Sequence, residues 1–169
     1  MKNKVENQSQ QTQPTITNNT TYNNNQIFII NSFGNEKIDY INEDFVQNSL
    51  KQPKRAINSI IRQIHFNPGR PENHNVQIKN KKLPYISVFT NNGWELDDKK
   101  KVINQMICKS YCLLENVYDD KQDLLEASTR RVFNTFQKKF DEDDQQLKKD
   151  LQRTTELQIL NEQKVINQK

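Results

Sequence analysis

Large apolar residues are unevenly spread along this chain of 169 residues, and the stretches that hold them differ in period. Residues 1–25 have almost none, and the pattern predicts a disordered Asn/Gln-rich arm, because too little surface can be buried there to offset chain entropy. Order is expected from Gln26-Ile27-Phe28-Ile29-Ile30-Asn31, a buried strand ended by the turn Ser32-Phe33-Gly34-Asn35. Asn42, followed by Glu43 and Asp44, predicts the N-cap of a short helix within 41–52. Pro53 suits the first turn of a second helix, in which Ile57, Ile60, Ile61 and Ile64 fall at i, i+3, i+4 and i+7 on one face. Asn67-Pro68-Gly69-Arg70-Pro71 must stop it. Three short strands are expected at 76–79, 85–90 and 93–96, the last two joined by the hairpin turn Asn91-Asn92-Gly93.

From Asp97 the period becomes helical. A first stripe takes Val102, Ile103, Met106, Ile107, Leu113, Leu114, Val117 and Tyr118, capped by Asp97 or Asp98. A second takes Leu125, Val132, Phe133, Phe136 and Phe140, and a thinner third takes Leu147, Leu151, Leu157, Leu160 and Val165. The class expected is α+β: a small antiparallel sheet with packed helices, followed by C-terminal amphipathic helices. Its parts are an arm at 1–25, a small basic core at 26–107, and a helical docking segment at 108–169 continuous with that core. The three stripes exceed what a small sheet can cover, so another protein chain is the expected partner of the C-terminal helices.

Composition narrows the function classes. The 23 Asn and 18 Gln make up about a quarter of the chain, against only 3 Gly. With so few glycines no phosphate-cradling loop exists, so no nucleotide cofactor is expected, nor any other cofactor. The length excludes a barrel enzyme of about 250 residues. No apolar run approaches the ~18 residues of a membrane span, and Met1-Lys2-Asn3-Lys4 lacks the apolar region of a signal peptide, so a soluble, intracellular protein is expected.

The net charge of +4 is concentrated. Residues 51–101 hold eleven Lys or Arg against four Asp or Glu, whereas residues 108–169 hold eleven against twelve. Such clustering matches the footprint of phosphate-backbone binding. The candidate nucleic-acid contacts are Lys54, Arg55, Arg62, Arg70, Lys79, Lys81 and Lys82, with DNA as the expected partner; a merely solvated face is the other reading.

The densest polar cluster, His65 to Asn75, contains both histidines. Two readings stay open for it. In one, His65 and His74 form a metal-dependent nuclease centre, one activating water and the other holding a divalent ion. In the other, Asn67, Asn73 and Asn75 bond backbone groups of a proline-fixed loop that His65 and His74 pin to the core; this is the reading favoured, with no catalytic residue and no metal. Cys108 and Cys112, i, i+4 on a helix, are expected as buried reduced thiols. Trp94 is expected as a sheet-face anchor, base stacking being the alternative.

Ile29-Ile30-Asn31-Ser32-Phe33-Gly34-Asn35-Glu36 with Ile38-Asp39-Tyr40-Ile41, then Ile64-His65-Phe66-Asn67-Pro68 with Pro71-Glu72-Asn73-His74-Asn75-Val76, Asn80-Lys81-Lys82 and Gly93-Trp94-Glu95, resemble an uncharacterised domain of giant DNA viruses. The likeness covers roughly residues 26–161. In those proteins the domain follows a two-Cys two-His zinc finger, which has no counterpart here. The resemblance implies a DNA-associated setting without a known reaction. With the amide-rich composition, which resembles that of ciliate nuclear proteins, it implies a virus-derived accessory subunit of a nuclear DNA-modifying assembly, such as a DNA adenine methyltransferase complex.

Overall fold

The computed structural model describes residues 20–23 and 26–166. Most of the arm expected at 1–25 lies outside the described residues, but Thr20–Asn23 (β1) pair antiparallel with Gln26–Ile29 (β2) as a two-stranded ribbon. Ile29 is exposed, whereas Ile30, just past β2, is buried. Glu43–Ser49 (α1) starts at Asn42, whose side chain accepts from the backbone N–H of Asp44 at 2.7 Å. Pro53–His65 (α2) opens on its proline.

A three-stranded antiparallel sheet follows, in the order Val76–Gln77 (β3), Tyr85–Thr90 (β4), Gly93–Asp98 (β5). In the β4–β5 hairpin Thr90 pairs with Gly93 across Asn91-Asn92, and Gly93 takes φ 101°, a value that glycine adopts without strain. Three helices complete the chain: Lys99–Lys121 (α3), Ala127–Asp141 (α4) and Gln145–Ile166 (α5). This is the α+β class expected. Among the described residues no helix is long and apolar enough to cross a membrane.

The organising element is α2. Its four isoleucines are buried, and they share one core with Val46 of α1 and its C-cap Leu50, Ile86 and Val88 of β4, Val102, Ile103, Met106, Ile107, Tyr111, Leu114 and Tyr118 of α3, Phe133 and Phe136 of α4, and Leu147, Leu151 and Ile159 of α5. The stripes expected to seat another chain are therefore largely covered within the chain, on α2. The expected boundary at 107/108 falls inside α3. Val132, Leu157 and Val165, assigned to those stripes, are exposed instead.

On α5 the buried row is Leu147, Leu151, Thr155, Ile159. This i, i+4 row slants along the helix, as α5 packs alongside α2, and it includes a threonine that hides it from an apolar-only search. Polar pairs align the two helices in parallel: Lys54 Nζ to Asp150 Oδ2 at 3.5 Å, Asn58 Nδ2 donating to Gln158 Oε1 at 3.0 Å, and Arg62 Nε to Glu162 Oε1 at 3.0 Å. At the next residue, the Gln163 side chain accepts from Ile78 N at 2.9 Å and donates to Ile78 O at 2.8 Å, capping the end of β3 as a neighbouring strand would.

Two stability outcomes follow from this core. Truncating Ile60→Ala removes a fully buried side chain at the centre and lowers unfolding free energy by about 3 kcal/mol in urea titration. Thr155 Oγ1 is the one buried side-chain polar atom without a hydrogen-bond partner among the described residues, so Thr155→Val raises stability by about 1 kcal/mol in the same titration.

Candidate nucleic-acid interface and the buried polar knot

The His/Asn cluster folds into the scaffold. Asn75 lies at its centre, fully buried. Its Nδ2 donates to Glu36 Oε1 at 2.9 Å and to Asn31 O at 3.1 Å, which turns its Oδ1 towards His65 Nδ1 at 2.9 Å. Since that oxygen can only accept, His65 carries its proton on Nδ1. Glu36 Oε1 also accepts from Gly34 N at 2.8 Å, and Oε2 is ion-paired with Lys109 of α3. Asn73, also fully buried, accepts from Asn31 Nδ2 at 2.8 Å and donates to Lys37 O at 2.8 Å, while Tyr40 Oη donates to Gln63 O at 2.6 Å. Outside this knot, His74 Nε2 donates to Asn67 O at 2.9 Å, and Asn67 Oδ1 accepts from Gly69 N at 2.9 Å as an Asx turn.

Ionisation follows from these contacts. Burial by itself would raise the Glu36 carboxyl, but His65, the Lys109 ammonium, the Asn75 amide and the Gly34 N–H together hold it down to about 2. Burial pushes His65 below its ordinary value, against the pull of Glu36, and keeps the imidazole neutral at pH 7. Burial also lowers His74. With 1% of its surface exposed, His65 offers no approach to a scissile phosphate. Among the described residues no group of three or more His, Cys, Asp or Glu is placed to hold a metal ion. Cys108 and Cys112 are exposed, not buried as expected, because they lie beside the α3 stripe rather than in it.

The basic candidates separate into two sets. Lys54 and Arg62 are engaged with Asp150 and Glu162 in the α2–α5 ladder. Arg70 stacks 4.3 Å above the Tyr40 ring and faces Glu72 at 3.7 Å, bracing the knot. Lys79, Lys81 and Lys82 are exposed on the loop between β3 and β4. That loop is fixed to the start of α3: Lys99 N donates to Pro84 O at 2.8 Å and Lys99 Nζ to Lys81 O at 3.1 Å, while Lys99 also pairs with Glu156 at 2.7 Å.

Three grooves border the helices here. Lys51, Lys54, Arg55 and Lys139 line the first, between the start of α2 and α4. Lys54, Arg55 and Arg153 line the second, between α2 and α5. Lys82, Lys99, Lys100, Lys149 and Arg153 line the third, between α5 and the start of α3. Arg153 borders the second and the third, so the cations form a track across α5. Lys51, Arg55, Lys82, Lys100, Lys139, Lys149 and Arg153 have no carboxylate partner among the described residues.

Sequence reasoning missed Lys139, Lys149 and Arg153, because the net charge of residues 108–169 averages them against its acids, of which Asp150 and Glu156 line these grooves paired with Lys54 and Lys99. The i, i+4 spacing of Lys149 and Arg153 on the face of α5 away from Leu147 and Leu151 was the available signal. It also missed Glu36 and Lys109 as partners of the histidine loop, a pair 73 residues apart. Comparison with protein-family models, with curated proteins and with solved structures finds no match.

The knot makes the fold acid-labile. Glu36 favours its ionised form in the folded chain, so its contribution is complete above the ordinary 4.5 and is lost as pH falls towards 2. His65 acts in the same direction: the unfolded chain takes up its proton below 6.5 while the fold resists, so stability declines from there downwards. The urea midpoint is expected to hold steady between pH 7 and about 8, fall below 6.5 and fall further below 4.5. Glu36→Gln strands Lys109, costs about 3 kcal/mol at pH 7 and removes the lowest-pH decline.

Proposed function

We propose that the protein is a non-catalytic DNA-associated module that lays its basic track on the phosphate backbone, as an accessory subunit of a nuclear DNA-modifying assembly. The observation that carries this reading is where the fold puts its unneutralised cations. α2 begins with Pro53-Lys54-Arg55, with no acidic residue in its first turn and no side-chain cap; α3 begins with Lys99-Lys100-Lys101 behind the Asp98 cap, and of these five cations Arg55 and Lys100 have no carboxylate partner among the described residues. Cations at the positive end of a helix dipole are each unfavourable by a few tenths to about 1 kcal/mol. By contrast, α1 follows the ordinary preference with Glu43 and Asp44. Both cationic helix starts open onto grooves of the same track, where a polyanion would relieve the repulsion and release counterions.

Two further observations support a binding role. The histidines are used as scaffold, one buried and one bonded to a loop carbonyl. The sequence likeness to an uncharacterised domain of giant DNA viruses, which implies a DNA-associated setting, rests largely on residues of the knot, the element that fixes the loop and helix around which the track is built.

Binding of a labelled duplex, followed by fluorescence anisotropy, tests this reading. Affinity is expected to fall with salt, and Lys100→Glu or Arg153→Glu to weaken binding about equally for unrelated sequences, each lowering the salt slope by about 1. Lys100→Glu is also expected to raise unfolding free energy by about 0.5 kcal/mol, because it removes a cation from the positive end of α3. A gain in stability with a loss of DNA affinity is the signature of a residue kept for binding. Unchanged duplex affinity in both variants contradicts the reading.

A further inference from the structure

The β4–β5 hairpin turns a face away from the core. Register places Tyr85, Ser87 and Phe89 opposite Asp98, Leu96 and Trp94 on that face; Ser87 and Phe89 are themselves buried, while Ile86 and Val88 point into the core. On it Leu96 is 69% exposed, Tyr85 52% and Trp94 39%, and Leu83 just before β4 is 48% exposed. A single exposed apolar residue needs no explanation, but four on one hairpin do.

The charge around this patch indicates its occupant. Leu83 and Pro84 lie in the third groove together with Lys82, Lys99 and Lys100, so the apolar face continues directly from the basic track. Of the acids of β5, Asp98 alone shares this face and the third groove, and its carboxylate is taken up by the α3 cap. Glu95 and Asp97 sit on the opposite face, Asp97 bound to Lys101 at 2.8 Å, and Asp98 caps α3 by accepting from Lys101 N at 2.8 Å. An aromatic platform beside a cation-lined groove, on an antiparallel sheet, is the chemistry by which single strands are held: bases stack on rings while the backbone follows the charge.

We infer that the Tyr85–Leu96–Trp94 face is a stacking platform for unpaired bases, and that the track's ligand is nucleic acid with a single-stranded segment. This rests on the nucleic-acid reading of the track and specifies its substrate class. Residues two apart on β5 stand about 7 Å apart, twice the rise of about 3.4 Å between stacked bases, so Trp94 and Leu96 suit a strand drawn out of its stack. The Trp94 ring is held by an edge contact with Phe89, ring centroids 5.5 Å apart and planes at 75°, so its orientation is set before any base arrives. A duplex, whose bases are stacked and paired, cannot use these rings.

Trp94 is the only tryptophan, so its fluorescence reports on this face alone. The full chain is titrated at low salt with oligo-dT and with a duplex of equal length, following Trp94 emission and, with labelled strands, anisotropy. Expected are quenching of Trp94 by oligo-dT and not by duplex, and tighter binding of the single strand. Tyr85→Ala should lose about tenfold for oligo-dT and leave duplex binding unchanged, while Tyr85→Phe, which keeps the ring, should retain affinity. Binding of oligo-dT without quenching, and without loss in Tyr85→Ala, overturns the platform and leaves the basic track standing. Failure to bind either form overturns both. Self-association that Leu96→Asp abolishes, with oligo-dT binding unchanged, overturns it in favour of a protein-docking face.

Discussion

The side-chain amide of Asn75 fixes the relative positions of most of the first half of the chain. Through its two donors and one acceptor it bonds Glu36 and Asn31 on the segment after β2 and His65 at the end of α2, while its backbone carbonyl accepts from Phe89 N in β4 at 2.8 Å. Glu36 extends the connection to α3 through Lys109. A buried polar group that finds every partner specifies geometry more narrowly than an apolar contact, because a shifted alternative leaves an unpaired group in a dry interior. Here that specificity holds the strand–helix junction from which the β3–β4 loop, with Lys79, Lys81 and Lys82, projects towards α3.

The same economy of amides runs through the second half. Asn58 and Gln158 bridge α2 and α5, Gln152 Nε2 donates to Asn104 Oδ1 at 2.7 Å between α5 and α3, and Gln163 closes the end of β3. A composition rich in Asn and Gln can look uninformative. In this fold a good share of those residues act as neutral connectors, which join elements without drawing on the charges. Of the cations without a carboxylate partner among the described residues, seven line the grooves beside α5.

Local signals carried much of the architecture. The Asn42 cap, the proline start and isoleucine face of α2, the Asn91-Asn92-Gly93 hairpin and the Asp98 cap each depend on residues within a turn or two, and each formed where those residues stand. What could not be read was long-range. The return of α5 along α2 is specified by pairs 96 to 100 residues apart, such as Lys54 with Asp150 and Asn58 with Gln158, and by a buried row that includes Thr155. Without that return, the C-terminal stripes look unpartnered. For the same reason Lys54, Arg62 and Arg70 looked equivalent to Lys82 from sequence, although the fold gives the first three carboxylate neighbours and leaves the last without one.

The central claim is that one continuous track, crossing α5 at Arg153, meets the phosphate backbone. Hydrogen–deuterium exchange of the full chain with and without bound DNA tests it most directly, since protection reports location and not merely affinity. The account predicts slowed exchange at the start of α2, in the loop 79–84, at the start of α3 and around Lys149 to Arg153. Exchange in the knot at 65–75 is predicted to be unchanged, because that region is already closed. Protection centred on the histidine loop, with the start of α3 and the middle of α5 unaffected, would contradict it.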